Sequence, residues 1–249
     1  MAIEIETNDG IRLIRMGGEA STQSFSEEFL PKITRAIDDG LSASDVKGIV
    51  LTGEGRFFSA GADINAFQKS IDDGNAPELI RNLTGILHPL LIRIRTSPTV
   101  VIAALNGVSA GGGLGLALAC DARIGTKNAR MAASYAGMGL SPDGGTTWLL
   151  PRLVGTQKAK KFFFNNEIWD SQLALENGAI DEICDEENLI NRSLEIARDW
   201  GKWAFLSRRS TKQLLDASTS TFFETQLEFE RALMLSSALT NDFAEGVSA

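Results

Sequence analysis

The residues of this sequence best able to do chemistry are three consecutive glycines, Gly111 to Gly113, set between two apolar runs. A strand, a glycine-rich turn and a helix start leave unpaired backbone N–H groups at the positive end of a helix dipole. Glycine lets a ligand approach that backbone closely. Such a place can hold a developing negative charge. A tight turn that packs a buried helix on a sheet has the same composition. Side-chain nucleophiles find less support. His88 is the only histidine and stands beside Pro89, away from the glycine-rich segments, so Ser-His and Cys-His catalysis are not indicated. No C-x-x-C and no histidine pair offers metal-ligand spacing. Neither a G-x-x-x-x-G-K-[ST] segment nor a G-x-G-x-x-G at a first βαβ turn is present.

The elements that must position the glycines can be read from apolar spacing. Thr99–Leu105 is apolar and β-branched, as a buried strand is, and Asn106-Gly107 ends it. Leu114–Cys120 then reads as a small-residue helix, and Asp121–Thr126 as a further strand. Upstream, Ala2–Thr7 and Ile11–Met16 alternate around Asp9-Gly10, predicting a β-hairpin. Phe29, Leu30, Ile33 and Ile37 predict a helix over Ser26–Gly40. Val46–Leu51 predicts a second buried strand, Gln68–Pro77 a mobile polar loop, and Glu78–Arg95 a helix. Strand and helix alternate from Val46 to Thr126, as in α/β folds. From Thr156 onward the pattern is mostly helical, including Asn188–Trp203 and Phe222–Leu239. Phe162, Phe163, Phe164, Trp200 and Trp203 are expected as core or interface material.

Arg56-Phe57-Phe58-Ser59-Ala60-Gly61-Ala62-Asp63-Ile64 and Asn106–Asp121 together resemble the crotonase, or enoyl-CoA hydratase/isomerase, superfamily. The first carries an F-x-A-G-A-D-like signature and the second an N-G-x-(A/S)-x-G-G-G signature leading through a helix to Cys120-Asp121. Gly139–Gly145, running on to Leu150-Pro151-Arg152, is similar to a third family segment. The resemblance covers essentially the whole chain. It implies an α/β crotonase fold: a spiral of ββα repeats over residues 1–190, then a C-terminal helical region, 191–249, that caps the site and builds trimers or dimers of trimers. It also implies an acyl-CoA thioester substrate, with coenzyme A as part of that substrate and no separate cofactor or metal.

Carried over position by position, the backbone N–H groups of Ala62 and Gly112 match the family's oxyanion hole. The backbone around Ala60, Ala62, Asp63 and Ile64 matches the segment that holds the CoA adenine. Arg56 stands where a cation often meets the CoA phosphates. The two glutamates of the family's hydratases fall here on Gly115 and Tyr135. Neither can activate water, so ordinary hydration is not expected. Asp143 matches an aspartate that shuttles a proton in the isomerase branches and is a nucleophile in the aroyl-CoA dehalogenase branch. Read without the resemblance, Pro142-Asp143-Gly144 is a turn and a helix cap. Enoyl-CoA double-bond isomerisation with Asp143 as acid/base is therefore the expectation. Hydration through other groups, hydrolysis or dehalogenation with Asp143 as nucleophile, and a weakly catalytic acyl-CoA- or RNA-binding role are the alternatives. Many members carry R-P-x-x-x-N-A where this chain has Gly17–Ser24, a segment that usually lines one wall of the acyl site. The C-terminal Asn241–Ala249 looks like the family's D-x-x-E-G-x-x-A segment, without the short F-x-E-K-R-like tail that usually follows.

The 249 residues are 43% hydrophobic, enough for a sizeable core. The net charge is −8 and the pI about 4.8. No basic stripe is present for nucleic acid or anionic membrane. No signal-peptide pattern opens the chain and no apolar run reaches membrane-span length. A cytoplasmic protein is expected, with Cys120 and Cys184 as buried free thiols.

Overall fold

The computed structural model describes residues 2–248. The chain opens with the hairpin β1 (Ile3–Asn8) and β2 (Ile11–Met16), turned by Asp9 and Gly10. Both turn residues have positive φ, 50° and 75°, as a tight two-residue hairpin requires. Helices α1 (Glu19–Thr22) and α2 (Phe29–Ser42) follow. Then come β3 (Gly48–Gly53), β4 (Phe57–Ser59), α3 (Ile64–Asp72) and α4 (Ala76–Thr96). The next turn is β5 (Val100–Leu105), β6 (Val108–Ala110) and α5 (Gly112–Ala119). It leads to β7 (Ala122–Gly125), β8 (Arg130–Ala132), α6 (Thr146–Val154) and α7 (Thr156–Phe164). The remainder is β9 (Ile168–Asp170), α8 (Ser171–Glu176), β10 (Glu182–Ile183), α9 (Leu189–Gly201), α10 (Phe205–Ala217), α11 (Phe223–Ala238) and α12 (Asn241–Ser248).

The strands form two sheets. One has the order β1-β2-β3-β5-β7-β10, parallel from β2 to β10. The other has the order β4-β6-β8-β9, parallel across β4, β6 and β8. The pairs β3/β4, β5/β6 and β7/β8 each give one strand to each sheet, followed by helix. This is the expected spiral of ββα turns. Every residue of β3 and β5 is buried, so neither shows the alternation of a half-buried strand.

Asn106 and Gly107 do more than end β5. The Asn106 carboxamide accepts from the Gly53 N–H at 2.9 Å and donates to the carbonyls of Gly55 and Phe57 at 3.1 Å each. One side chain thus ties the β5–β6 corner to the β3–β4 corner. A Cβ at Gly107 would sit 2.2 Å from the Arg56 carbonyl oxygen, so only glycine fits where the corners meet.

Several boundaries differ from the sequence reading. The first long helix starts at Phe29, whose N–H bonds Ser26 Oγ at 3.1 Å, and runs on to Ser42. The expected mobile loop over Gln68–Pro77 is largely helix. The Asp63 carboxylate caps α3 by accepting the Asn65 N–H at 2.9 Å, and Gln68 bonds Asp72 one turn on. The loop shrinks to Asp73–Asn75. Cys120 caps the end of α5 and is buried, whereas Cys184 is only half-buried. Of the C-terminal aromatics, Phe162 is core, but Phe164 and Trp203 are largely exposed.

The large core lies between the two sheets and α2, α4 and α5. A second cluster packs α9 on the outer face of the large sheet, through Leu189, Ile196 and Ala197 against Val50, Ile102 and Ile124. Residue 190 lies inside α9. Helix α10 is pinned to the body by the Lys212–Asp121 pair at 2.6 Å and by Arg208 donating to the carbonyls of Lys47 and Pro98. No helix among the described residues is long and apolar enough to cross a membrane.

Candidate active site

Strands β4 and β6 run side by side, with Phe57 opposite Val108 and Ser59 opposite Ser109. Their C-terminal ends therefore deliver Ala60-Gly61-Ala62 and Gly111-Gly112 to one place. A Cβ at Gly61 would lie 2.7 Å from the Ala110 carbonyl oxygen and 3.5 Å from the Gly112 nitrogen. Gly112 is the first residue of α5, so its N–H has no acceptor within the helix. Neither the Gly112 nor the Ala62 N–H is taken by another backbone group among the described residues. Ser21–Phe25 closes this place from the N-terminal side. The Ser21 carbonyl accepts from Ala60 at 2.8 Å, Phe25 donates to Gly61 at 3.0 Å, and the Phe25 ring packs on Gly112.

The two strand ends open into a cavity of about 760 Å³. Ala60, Ala62, Asp63 and Ile64 wall it on the β4 side and Gly112 on the α5 side. Phe67, Leu83 and Leu87 of α3 and α4 make an apolar face. Thr22, Gln23 and Phe25 line another wall, so the segment that departs from the R-P-x-x-x-N-A pattern does reach the site. Tyr135 and Asp143 complete the wall. Two acidic residues thus border the cavity. The Asp63 carboxylate is committed to capping α3.

Asp143 is held differently from the cap that its Pro-Asp-Gly setting suggests. The helix behind it, α6, has Gly145 at its N-cap position and no side-chain cap. The Asp143 main-chain carbonyl, not its carboxylate, takes the Thr146 N–H at 3.1 Å and the Thr146 hydroxyl at 2.8 Å. The carboxylate is left for the Tyr135 hydroxyl, which donates to Oδ1 at 3.0 Å. Nothing among the described residues donates to Oδ2. Burial, and next the charge of Asp143, push the Tyr135 phenol above its ordinary range, so it stays protonated and donating at neutral pH.

Tyr135 reaches this position through an unusual backbone. Ser134 has φ 56°, a left-handed conformation that non-glycine residues adopt rarely and mostly at turns and sites. The chain then coils into the short helical turn Ala136–Met138, and the Tyr135 carbonyl accepts from both Met138 and Leu140. The Tyr135 ring packs against Phe163, centroids 6.4 Å apart.

Two of the sequence-derived positions lie elsewhere. Gly115 is buried and takes no part in the cavity wall. A Cβ there would meet the Gly144 carbonyl oxygen at 2.5 Å. The backbone of the Asp143-Gly144-Gly145 loop has closed on α5, so no side chain can occupy the place of the first family glutamate. Arg56 is exposed in the β3–β4 corner with its guanidinium 5.9 Å from the Phe57 ring centre, and it is not part of the cavity wall. The Tyr135–Asp143 contact was missed in the sequence. Its only trace there is one buried-type phenol eight residues before the aspartate, too weak to read without the fold.

A two-sheet ββα spiral whose adjacent strand ends bring two residues with unpaired backbone N–H groups to the wall of an apolar cavity defines a crotonase-fold protein. The chain belongs to the enoyl-CoA hydratase/isomerase family, whose family model matches residues 6–249. It is similar to 1,2-epoxyphenylacetyl-CoA isomerase of Escherichia coli (strain K12), at 30% identity over 96% of this chain and 91% of the relative. It is 27% identical to 2,3-dehydroadipyl-CoA hydratase of the same organism, over 96% of this chain and 91% of the relative. Among solved structures, enoyl-CoA hydratase from Bacillus anthracis superposes with a TM-score of 0.90 at 25% identity, covering 100% of this chain and 95% of that one. This chain is an acyl-CoA-processing enzyme of the family, whose members include both isomerases and hydratases.

Proposed function

We propose that the protein moves the double bond of an enoyl-CoA between the 3,4 and 2,3 positions, with Asp143 as the single acid/base. The observation that carries this reading is the Asp143 carboxylate, which borders the cavity and is spared from helix capping. The places of the two hydratase glutamates hold backbone and a phenol. The thioester oxygen accepts the N–H groups of Ala62 and Gly112. Asp143 removes a proton from C2, and the C–H electron pair moves into the enolate that those donors stabilise. Each such donor is worth about 3–4 kcal/mol in the transition state. The same proton then returns at C4, and the double bond comes to rest between C2 and C3. Atoms and charge balance without a cofactor, and coenzyme A enters as part of the substrate. The CoA end of the substrate lies along Ala60–Ile64. The exposed apolar residues of α11 and α12, such as Met234, Leu235 and Val247, support assembly into a homotrimer or a dimer of trimers.

The test is a spectral assay of the purified protein on trans-3-hexenoyl-CoA and trans-2-hexenoyl-CoA, reading migration and hydration separately. Migration without hydration is expected, with loss of turnover in Asp143→Asn. Hydration at enzymatic rates, or an Asp143→Asn variant with full turnover, overturns the assignment.

A further inference from the structure

The acid/base in this cavity is a carboxylate with two chemically equal oxygens, only one of which is engaged. Tyr135 donates to Oδ1 at 3.0 Å, and Oδ2 has no donor among the described residues. A proton shuttle between C2 and C4 needs its proton held on one atom, facing the substrate, for the lifetime of the enolate. A carboxyl free to rotate carries that proton away from the substrate and trades it with water.

From this asymmetry we infer that Tyr135 is a positioning residue: its phenol anchors Oδ1 so that Oδ2 alone takes the proton from C2 and returns it to C4. The inference rests on the isomerase reading of Asp143 and deepens it. The surrounding structure is built to hold the phenol still. Tyr135 is 5% exposed, its ring is backed by Phe163, and its main-chain carbonyl is bonded twice by the turn that follows. Asp143 is fixed from the other side through its own carbonyl by Thr146. The Asp143 main chain is thus fixed while its side chain keeps two rotatable bonds, and the Tyr135 hydroxyl is the group that restrains them. The left-handed Ser134 is the backbone feature that brings the phenol there. Position 135, where hydratases of the family have a glutamate, here supplies a donor that serves the remaining carboxylate.

The experiment compares wild type and Tyr135→Phe on 3-hexenoyl-CoA deuterated at C2, with product label read by mass spectrometry and folding checked by thermal melting. The expected result is a kcat lower by about tenfold to a hundredfold, a KM changed by less than about twofold, and a marked loss of deuterium from C4 of the product to solvent. A merely structural role for Tyr135 leaves the retained fraction of label unchanged. If wild type isomerises and Tyr135→Phe matches it in kcat and label retention, this inference is overturned and the Asp143 reading stands. If wild type moves no double bond, the isomerase reading fails and this inference fails with it.

Discussion

Three turns of one spiral end in two different ways. The ends of β4 and β6 present main-chain N–H groups: each strand stops at a glycine-containing turn, and helix follows within a few residues. The end of β8 presents side chains: Ser134 turns left-handed, Tyr135 goes in, and α6 does not begin until Thr146. The first two ends are locked by the sheet register, by Asn106 across the corners and by glycines with no room for a Cβ. The third hangs on one phenol–carboxylate bond and a few loop contacts. Parts of a site made from backbone cannot change without changing the fold. Parts made from side chains on a loop can change while the fold stays. This is why one family can hold hydratases and isomerases on the same frame.

Each expected outcome tests that contrast. The largest effect belongs to the side-chain end. Asp143→Asn is expected to lower kcat by about 10²–10⁴-fold with little change in melting temperature, measured by steady-state kinetics and calorimetry. A large fall in stability instead would mean that the loop is as structural as the strand ends. Next come the glycine contacts. Gly115→Ala forces a methyl group against the Gly144 carbonyl and is expected to cost about 1–3 kcal/mol of stability in denaturant titration. Gly115→Glu is expected to be less stable still and to gain no hydration activity, because the space for a carboxylate is filled by main chain.

A smaller effect can be read on Tyr135 directly, since it is the only tyrosine of the chain. Protein carrying tyrosine labelled with ¹³C at Cζ gives one NMR line, expected to keep its phenol position through the range where ordinary tyrosines ionise, about pH 10. Burial raises this phenol most and the Asp143 charge next. Asp143→Asn removes the second cause and is expected to move the ionisation back down. A line that ionises normally in both proteins would break the contact on which the loop depends.

The smallest effect is a slope. Burial, followed by the Asp121 charge, pushes the Cys120 thiol up to about 12. In the unfolded chain a cysteine ionises near about 8.5 and a tyrosine near about 10. The unfolded state therefore releases these protons first. Stability is full below about pH 8.5 and declines above it, by up to about 1.4 kcal/mol per pH unit for each group. Cys120→Ala is expected to flatten the first part of that decline, between about pH 8.5 and 10, in urea titrations across pH.

What the sequence determined by itself was the frame. Apolar β-branched runs such as Val100–Leu105 read as buried strands, Asn106-Gly107 as a turn, and Gly111–Gly113 as the approach to a helix start. Those are local properties of neighbouring residues, whereas Ala62 and Gly112 were singled out only through the family resemblance that their segments carry. The helical start of the Gln68–Pro77 segment was not legible, because one capping carboxylate, Asp63, tips a polar stretch into helix. The tertiary structure alone placed the side chains at the third strand end. Whether Asp143 caps a helix or borders the cavity, whether position 115 has space for a side chain, and what the phenol of Tyr135 touches depend on how β8, α5 and α6 pack together. Those contacts join residues far apart or on opposite sides of a loop, and no spacing along the chain encodes the distance between a hydroxyl and a carboxylate.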